Sequence, residues 1–591
     1  MNFVGDGALD VPSSKTVSFT DFGLSRAPAP TVCIYTIKEK KLKKQNFIKG
    51  SVILMVSAVA AKALGALFKI PLTNLLGGVG MSYFSCAYSI FMPVYALAVT
   101  GLSTAVAAMV AKSLALGMYE NVRRIRRIAL LVFSAVGIFG SLLIFFLAKP
   151  FSLLSSGNSE SALAVAMIAP SVFFGCITAV ERGYYEGMSN MYPTALSQAA
   201  EGLVKVGAGL WLCGYVSSHG TEIMAHFPEI TDVRAIAAAA GIMGVTLSSF
   251  GAMMFFAVIR LFTKRRRTEG ESLLMTRREI CRELVKTALP VGISAVVTNL
   301  TAIIDMGTLI GCISYFGYKG VLPVGIAEGE IPQFVYGSFS GIALTVFNLV
   351  PSVTNMLGKG ALPCITSCWA SGDREGLHRG TVQALLTAAV ISVPAAVGIG
   401  VLSPEILHTL FARQTDEAQL CISSLRWLMP GMVCLCVSFP IFAMLQGIGK
   451  TAAPLKIMLL GTVVKLGGNL LLIPLMGADG AAASTTLCYA VILAASLYTY
   501  MKAANIAVPL KPFTSVLYSG LLCGAAAYLA SDICGRYGFG NIAAIAAAAV
   551  FGGIIYVLSL YLLSVKALHK KTGTSSVSET APRECVFNFI F

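Results

Sequence analysis

The stretch FIKGSVILMVSAVAAKALGALFKIPLTNLLGGVG, Phe47–Gly80, decides the fold of this chain. Its apolar run exceeds the ~20 residues that a helix needs to cross a hydrocarbon core about 30 Å thick. Two lysines nevertheless lie within it: Lys62 falls near the middle of such a helix, and Lys69 lies two turns further along nearly the same face. Because an ammonium group is costly in lipid, the stretch predicts a transmembrane helix that lines a polar pathway.

The composition is that of a polytopic membrane protein. Of 591 residues, 56% are hydrophobic and 12% are charged, whereas soluble domains carry about 25% charged residues. The net charge of +16 does not indicate nucleic acid binding, since the basic residues cluster in short loops between apolar segments. The fifteen cysteines lie mostly in apolar spans without CxxC spacing, so we interpret them as small buried hydrophobes.

Hydropathy predicts an all-α polytopic membrane protein with about 14 transmembrane helices. Lysine and arginine runs precede the first span and follow the second, sixth and last, whereas the alternate loops carry acidic residues. By the positive-inside rule, both termini are predicted to be cytoplasmic. The predicted organisation is a disordered cytoplasmic leader over 1–45, an N-lobe of helices 1–6 over 46–263, a basic cytoplasmic linker over 264–285, a C-lobe of helices 7–12 over 286–502, helices 13 and 14 over 503–566, and a cytoplasmic tail over 567–591.

Three matches in the same order indicate an internal repeat. ALGMYENVRRIRRIALL at 115–131 aligns with ASGDREGLHRGTVQALL at 370–386, an offset of 260 relates Lys205 to Lys465, and Ser-Ala-Val recurs in the first span of each lobe. Because each lobe has six spans, the repeat is parallel, with its axis along the membrane normal. We therefore expect two six-helix lobes around a central cavity that opens alternately to each side, plus two C-terminal helices.

Polar side chains inside the predicted spans are the candidates for a transport site. Those expected to contact substrate in the cavity are Lys62, Lys69, Lys205, Lys465 and Asn299; those expected to balance charge or couple transport to a cation are Asp305 and Glu201. Glu201 and Lys205 could instead neutralise one another as an i,i+4 pair, and Lys69 could anchor at the membrane interface. Asp305 is either a counter-ion to a lysine of the other lobe or a cation site. The excess of lysine over acid predicts an anionic substrate such as phosphate or pyrophosphate.

The loops indicate neither an enzyme nor a metal site. Their acidic residues are scattered, and His219 and His226 in one loop form no ligand motif. Three charged residues at the end of the fourth span, Glu181, Arg182 and Glu186, are interpreted as a solvated loop.

Three stretches resemble a known family. They are KALGALFKIPLTNLLGGVGMSYF at 62–84, RGYYEGMSNMYPTALSQAAEGLVKVGAGL at 182–210 and PAAVGIGVLSPEIL at 394–407. On these residues the chain, over about 46–566, is similar to the polysaccharide flippases of the multidrug/oligosaccharidyl-lipid/polysaccharide exporter superfamily, with most likeness to the stage V sporulation protein B group and a relation to lipid II flippases. The resemblance implies a basic residue at the position of Lys69 and translocation of a lipid-linked saccharide by alternating access without ATP.

The resemblance thus predicts a flippase, and not an enzyme, in the bacterial plasma membrane. Its expected substrate is an undecaprenyl-pyrophosphate-linked saccharide, a peptidoglycan or spore-cortex precursor, whose pyrophosphate Lys62, Lys69, Lys205 and Lys465 would hold. Membrane lipids and cell-wall synthesis proteins are the further expected partners. No cofactor is predicted, and coupling to Na+, H+ or the membrane potential stays open. The alternatives are a cation-coupled multidrug exporter of the same superfamily, a glycosyl- or phosphotransferase, and a non-transporting scaffold.

Overall fold

Long apolar runs without strand-type alternation favour helices, and the computed structural model contains no strand in the part of the chain that it describes. That part comprises residues 47–116, 118–157, 159–224, 232–262, 275–320, 322–323, 326–509 and 511–572. The predicted leader over 1–45 and the tail beyond 572 lie outside it. The first half contains α1 Phe47–Tyr95, a π-helical turn Ala96–Thr100, α2 Gly101–Ala115, α3 Tyr119–Ser156, α4 Ala162–Ile168, α5 Pro170–Gly187, α6 Tyr192–Ser218, α7 Gly220–Met224 and α8 Val233–Phe262.

The second half begins with a helix that starts inside the predicted linker. It contains α9 Arg277–Phe316, a 3-10 turn Glu328–Glu330, α10 Ile331–Ser338, a π-helical turn Phe339–Ala343, α11 Leu344–Phe347, α12 Leu349–Ser371, α13 Arg374–Val401, α14 Ser403–Leu410, α15 Thr415–Gly447, α16 Ala453–Met476, α17 Ala478–Ala504, α18 Lys511–Arg536 and α19 Asn541–Thr572. At the start of α9, Thr276 and Glu279 form a reciprocal capping box that satisfies two otherwise free backbone donors.

Helix α1 folds back on itself at Gly77. This residue has φ 66° and ψ −175°, a left-handed conformation that costs glycine least because it has no Cβ. The ring centroids of Phe68 and Phe84 lie 6.1 Å apart, whereas a straight helix would separate these positions by about 24 Å. The first two predicted spans therefore meet at a glycine kink, where we expected a short loop. We call the two parts the first and second arms of α1.

The all-helical membrane fold is confirmed, whereas the number of fourteen spans stays a prediction. In the described ranges, eleven helices are long and apolar enough to cross a membrane, or up to twelve if the bent pair Glu328–Phe347 and Leu349–Asn355 is one span. This count treats Ala63–Leu114 as one span although the chain reverses at Gly77, and it omits the charged but 27-residue α6. Those two features account for the difference from the predicted number.

The helices of the two halves meet along α1 and α9. Helix α1 packs against α10, the turn Phe339–Ala343 and α12, and α9 packs against α1, α2 and α3. Each half also contains one π-helical turn, in its second predicted span. The two halves therefore meet on the helices that carry four of the predicted site residues, Lys62 and Lys69 on α1 and Asn299 and Asp305 on α9.

Candidate substrate-binding site

Lys205 lies against aromatic side chains of α1. Its Nζ donates a hydrogen bond to the Tyr88 hydroxyl at 2.8 Å. The same ammonium group lies 5.2 Å from the ring centroid of Phe68 and 5.3 Å from that of Tyr88. Aromatic faces attract cations through the ring quadrupole within about 6 Å. These contacts hold the lysine between α6 and α1 without neutralising its charge.

Lys69 connects the two lobes. Its Nζ donates to the backbone oxygen of Ser340 at 2.8 Å, in the π-helical turn Phe339–Ala343 of the C-lobe. From the second arm of α1, the Ser85 hydroxyl lies 2.9 Å from the Ser340 hydroxyl, so both arms hold the same turn. π-helical turns occur frequently at functional sites. The contact directs Lys69 towards the opposite lobe, in contrast to the interfacial anchor that was its alternative interpretation.

Lys69 and Lys205 form a positively charged pair without a carboxylate. Lys205 Nζ lies 5.2 Å from the ring centroid of Phe68, the residue next to Lys69, and no Asp or Glu oxygen of the described residues lies within 4.0 Å of either ammonium group. Other deeply placed cations, Arg126, Arg182 and Lys465, each have an acidic partner. Because a buried cation is costly unless it is paired, this pair is where an anion would gain most from binding.

Glu201 does not neutralise Lys205, so the interpretation of these residues as an i,i+4 pair was wrong. The Glu201 carboxylate instead accepts a hydrogen bond from Arg182, with Nη2 and Oε2 2.8 Å apart. Arg182 also donates from Nε to the Ser197 hydroxyl at 2.9 Å. The planar guanidinium presents several donors in a fixed fork, and here it binds two side chains of α6. Because α5 continues to Gly187, Arg182 is not in a solvated loop as we predicted.

A second ion pair that sequence reasoning missed joins α3 to α5. Arg126 donates to both carboxylate oxygens of Glu181, at 3.1 and 2.6 Å, and its guanidinium lies 4.5 Å from the ring centroid of Tyr184. Glu181 is buried, so it too was wrongly placed in a loop. The run Arg-Arg-Ile-Arg-Arg that contains Arg126 indicates membrane orientation, and nothing in it distinguishes the arginine that turns inward.

Lys465 and Asp305 form a buried ion pair inside the C-lobe. Lys465 Nζ lies 2.7 Å from Asp305 Oδ2, and the two side chains are 3% and 5% exposed. Lys465 also donates to the Thr485 hydroxyl at 3.0 Å, and Asn469 Nδ2 donates to Asp305 Oδ1 at 3.0 Å. Asp305 is therefore the counter-ion of a lysine in its own lobe, and the expectation of a partner in the other lobe was wrong. Lys465, predicted to contact substrate, is neutralised here, unlike its repeat counterpart Lys205.

The remaining candidates are Asn299 and Lys62. Asn299 Nδ2 donates to the backbone oxygen of Ala295 in its own helix at 2.8 Å. Lys62 belongs to α1, but its side chain lies outside the described residues. The substrate contacts expected of both stay predictions. Across the described ranges, no group of three or more His, Cys, Asp and Glu side chains is arranged to hold a metal ion.

Contacts between the lobes close one end of the bundle, which we call the Gly77 end. Beside the kink, the Gly78 N–H donates to the Glu417 carboxylate at 3.2 Å, and Asn74 donates to the Leu410 carbonyl at 2.9 Å. Arg234 at the start of α8 forms an ion pair with Glu330. Lys69 precedes Gly77 by about 12 Å of helix, so it lies about two turns of helix further into the bundle than these contacts.

The fold and the site define a class: a multi-pass membrane transporter with two lobes and a cationic site where they meet. The family described as "Polysaccharide biosynthesis protein" matches residues 47–344, and the family described as "Lipid II flippase MurJ" matches residues 342–548. Because the first match covers half of the chain, the protein belongs to the polysaccharide biosynthesis protein family, whose relatives below are flippases and transporters rather than enzymes.

Named relatives extend over most of the chain. Lipid II flippase MurJ of Bacillus subtilis (strain 168) is 23% identical over 77% of this chain and 82% of its own length. Stage V sporulation protein B of the same organism is 21% identical over 90% of this chain and 97% of its own. The predicted resemblance to stage V sporulation protein B and to a lipid II flippase is therefore confirmed.

Two solved structures share the fold. A structure titled "Lipid II flippase MurJ, inward closed conformation" matches with a TM-score of 0.60 at 15% identity, covering 88% of this chain and 100% of that chain. An inward-facing multidrug resistance MATE family transporter matches with a TM-score of 0.59 at 16% identity, covering 77% and 98%. At these identities the likeness concerns the fold alone.

Proposed function

We propose that this protein is a flippase that moves an undecaprenyl-pyrophosphate-linked saccharide, a peptidoglycan or spore-cortex precursor, across the bacterial plasma membrane by alternating access. Family membership supports the transport of a lipid-linked precursor. The observation that carries the choice of an anionic headgroup is the Lys69–Lys205 pair, which has no carboxylate partner among the described residues although other deep cations do.

A pyrophosphate diester suits two neighbouring ammonium groups. It carries two negative charges, and lysine binds phosphate oxygens as a point charge through charge-assisted hydrogen bonds. An anion bound between Lys69 and Lys205 would be attracted to both ammonium groups. The role of Lys62 as a further contact of the pyrophosphate stays a prediction, whereas Lys465 is assigned to charge balance with Asp305 because its ammonium is already paired.

Alternating access requires the closure at the Gly77 end to break. The contacts that would separate are the hydrogen bond from Lys69 to Ser340 and those beside the kink, at Gly78 and Asn74. An anion bound by Lys69 competes with the Ser340 carbonyl for the same ammonium group, so occupancy would weaken this closure. With both termini cytoplasmic, as proposed from the positive-inside rule, the Gly77 end faces the outside.

Substitution of the lysines tests the proposal. We expect Lys69→Ala, Lys62→Ala and Lys205→Met to abolish complementation of a flippase-deficient strain and exposure of lipid II on the outer leaflet, with normal membrane insertion, because each removes positive charge from the anion site. Lys112→Met is the matched control, since Lys112 is exposed at the end of α2.

Two outcomes would contradict the proposal. Full activity of the Lys69→Ala/Lys205→Met double variant would show that these two lysines do not form the anion site. Resistance to cationic compounds on expression, with unchanged lipid II exposure, would favour the multidrug exporter, whose fold is shared by the MATE structures.

A further inference from the structure

The proposed anion site has an acidic neighbour that is held away from it. Glu201 lies one helical turn before Lys205 on α6, in the orientation, acid first and base four residues later, that favours pairing on an isolated helix. In the structure Glu201 contacts Arg182 of α5, and Lys205 contacts Tyr88 of α1. The pair that local sequence favours has been replaced by two contacts with other helices.

Glu201 and Lys205 lie one turn apart on α6, so their side chains are neighbours on the surface of that helix. Tyr88 of α1 accepts a hydrogen bond from Lys205, while Arg182 of α5 donates one to Glu201. A rotamer change of Glu201 would suffice to bring its carboxylate towards Lys205 if nothing held it.

The fork of Arg182 supplies the restraint. Its Nη2 binds Glu201 at 2.8 Å and its Nε binds Ser197 at 2.9 Å, and these two residues lie at i and i+4 on α6, on one face of the helix. Ser197 is fully buried, and the Arg182 side chain is 15% exposed. A guanidinium fixed at two points in a largely desolvated setting orients its carboxylate partner more strictly than a surface pair does.

We propose that Arg182 is a positioning residue: it holds the Glu201 carboxylate away from Lys205 and so keeps the Lys205 charge available for the anion. This rests on the function proposed above, because the anion site is that of Lys69 and Lys205. Arg182 itself does not touch the substrate. Its removal lowers anion affinity through Glu201, which then pairs with Lys205.

The test measures the affinity of the purified full chain, in nanodiscs, for sodium pyrophosphate. We expect Arg182→Gln to weaken binding roughly tenfold, the loss typical of one charge-assisted hydrogen bond. Glu201→Gln in addition should restore nearly wild-type affinity, because no carboxylate remains to occupy Lys205. Arg182→Lys keeps a charge but loses the fork, so it should show a smaller loss that Glu201→Gln also reverses. If Arg182→Gln does not fold, the Arg182→Lys variant takes its place in the test.

A Lys205→Met background separates this role from a general charge effect. There Arg182→Gln should cause no further loss, since the effect acts through Lys205. A full additional loss in that background, or a double variant as weak as Arg182→Gln alone, would overturn the inference. If Lys205→Met leaves the affinity for pyrophosphate unchanged, the proposed anion site is refuted, and the inference about Arg182 is refuted with it. If Lys205→Met weakens binding and Arg182→Gln does not, only the role of Arg182 is refuted.

Discussion

At the scale of single residues, two lysines related by the repeat have opposite surroundings. Lys205 in α6 contacts a tyrosine hydroxyl and two aromatic rings, and Lys465 in α16 contacts Asp305 and Thr485. Both are central residues of their helices, and local sequence does not separate them. The difference arises from the facing helix, which presents aromatic residues in one lobe and a carboxylate in the other. Of the two lysines, only Lys465 has a carboxylate as a contact among the described residues.

The buried pair of the C-lobe makes a prediction about stability. Lys465→Met should lower the free energy of unfolding by about 3–5 kcal/mol, because it leaves the Asp305 carboxylate buried and unpaired. Asp305→Asn together with Lys465→Met should recover most of this loss, since an amide oxygen at 305 can still accept from Asn469. Thermal unfolding of the purified protein measures both variants.

Lys456→Met is the control for this pair, because Lys456 lies exposed on the same helix. If Lys465→Met unfolded like the wild type and yet lost transport, Lys465 would contact the substrate, as the sequence first suggested.

At the scale of elements, close backbone packing of α1 on α10 forms the closure at the Gly77 end. A Cβ on Gly337 would overlap the backbone of Gly78, so the two helices approach as closely as they do because both residues are glycine. The π-helical turn Phe339–Ala343 follows directly and contacts both arms of α1. The C-lobe segment from Gly337 to Ala343 therefore contacts both the kink and Lys69.

Gly337→Ala should loosen this closure. The added methyl group cannot be accommodated without moving backbone, so α1 and α10 must separate. We expect a cysteine introduced at Thr73, which is buried beside this turn and bonds to Gly341, to react faster with a maleimide in Gly337→Ala than in the parent. Gly398→Ala in α13, where a Cβ meets no atom within 4 Å, should leave the rate unchanged. An unchanged rate in Gly337→Ala would contradict the packing argument.

At the scale of the whole molecule, the lobes are joined at the Gly77 end by several separate contacts, and the ion pair among them is partly exposed. The Arg234–Glu330 pair is 42% and 37% exposed, so solvent screening limits its contribution to about 1 kcal/mol. The closure combines it with the hydrogen bonds at Gly78 and Asn74 and with Lys69–Ser340. Hydrogen bonds and a partly exposed ion pair can exchange with water when the lobes separate, whereas breaking a deeply buried ion pair would leave both charges unpaired.

Charge reversal tests the interlobe pair. Arg234→Glu and Glu330→Arg should each shift the equilibrium towards the open state about fivefold, the change that about 1 kcal/mol produces, because each places like charges together. The double variant restores opposite charges between the lobes and should recover part of the shift, because the glutamate at 234 then faces Asp232, which lies 2.9 Å from Arg234 in the wild type. Spin labels on α8 and α10 would report the distance between the lobes, and failure of the double variant to recover would show that the pair does not join them.

The features that depend on composition and periodicity could be predicted from the sequence. Apolar runs long enough to cross a bilayer follow from hydrophobicity alone, and they determined the all-helical membrane fold. Lysines within such runs must find polar surroundings because lipid cannot solvate them, so Lys69 and Lys205 were identified as site candidates. The motifs at 62–84 and 182–210 were enough to predict the family to which the chain belongs.

The partner of each charge could not be predicted, because it lies on another helix far away in sequence. The i,i+4 spacing allowed an ion pair between Glu201 and Lys205, whereas in the structure Glu201 forms its ion pair with Arg182 of another helix. The same holds for Asp305, whose counter-ion is 160 positions away in its own lobe.

The sequence by itself determined that this chain is a helical flippase-family protein with lysines inside its spans, because hydrophobicity, helical period and motif are properties of contiguous residues. The tertiary structure decided which of the described lysines pairs with a carboxylate and which helices join the lobes. Both depend on which helix faces which, and that follows from packing between segments that the sequence lists far apart. Thus Lys205 contacts a tyrosine hydroxyl, whereas Lys465 is paired with a carboxylate.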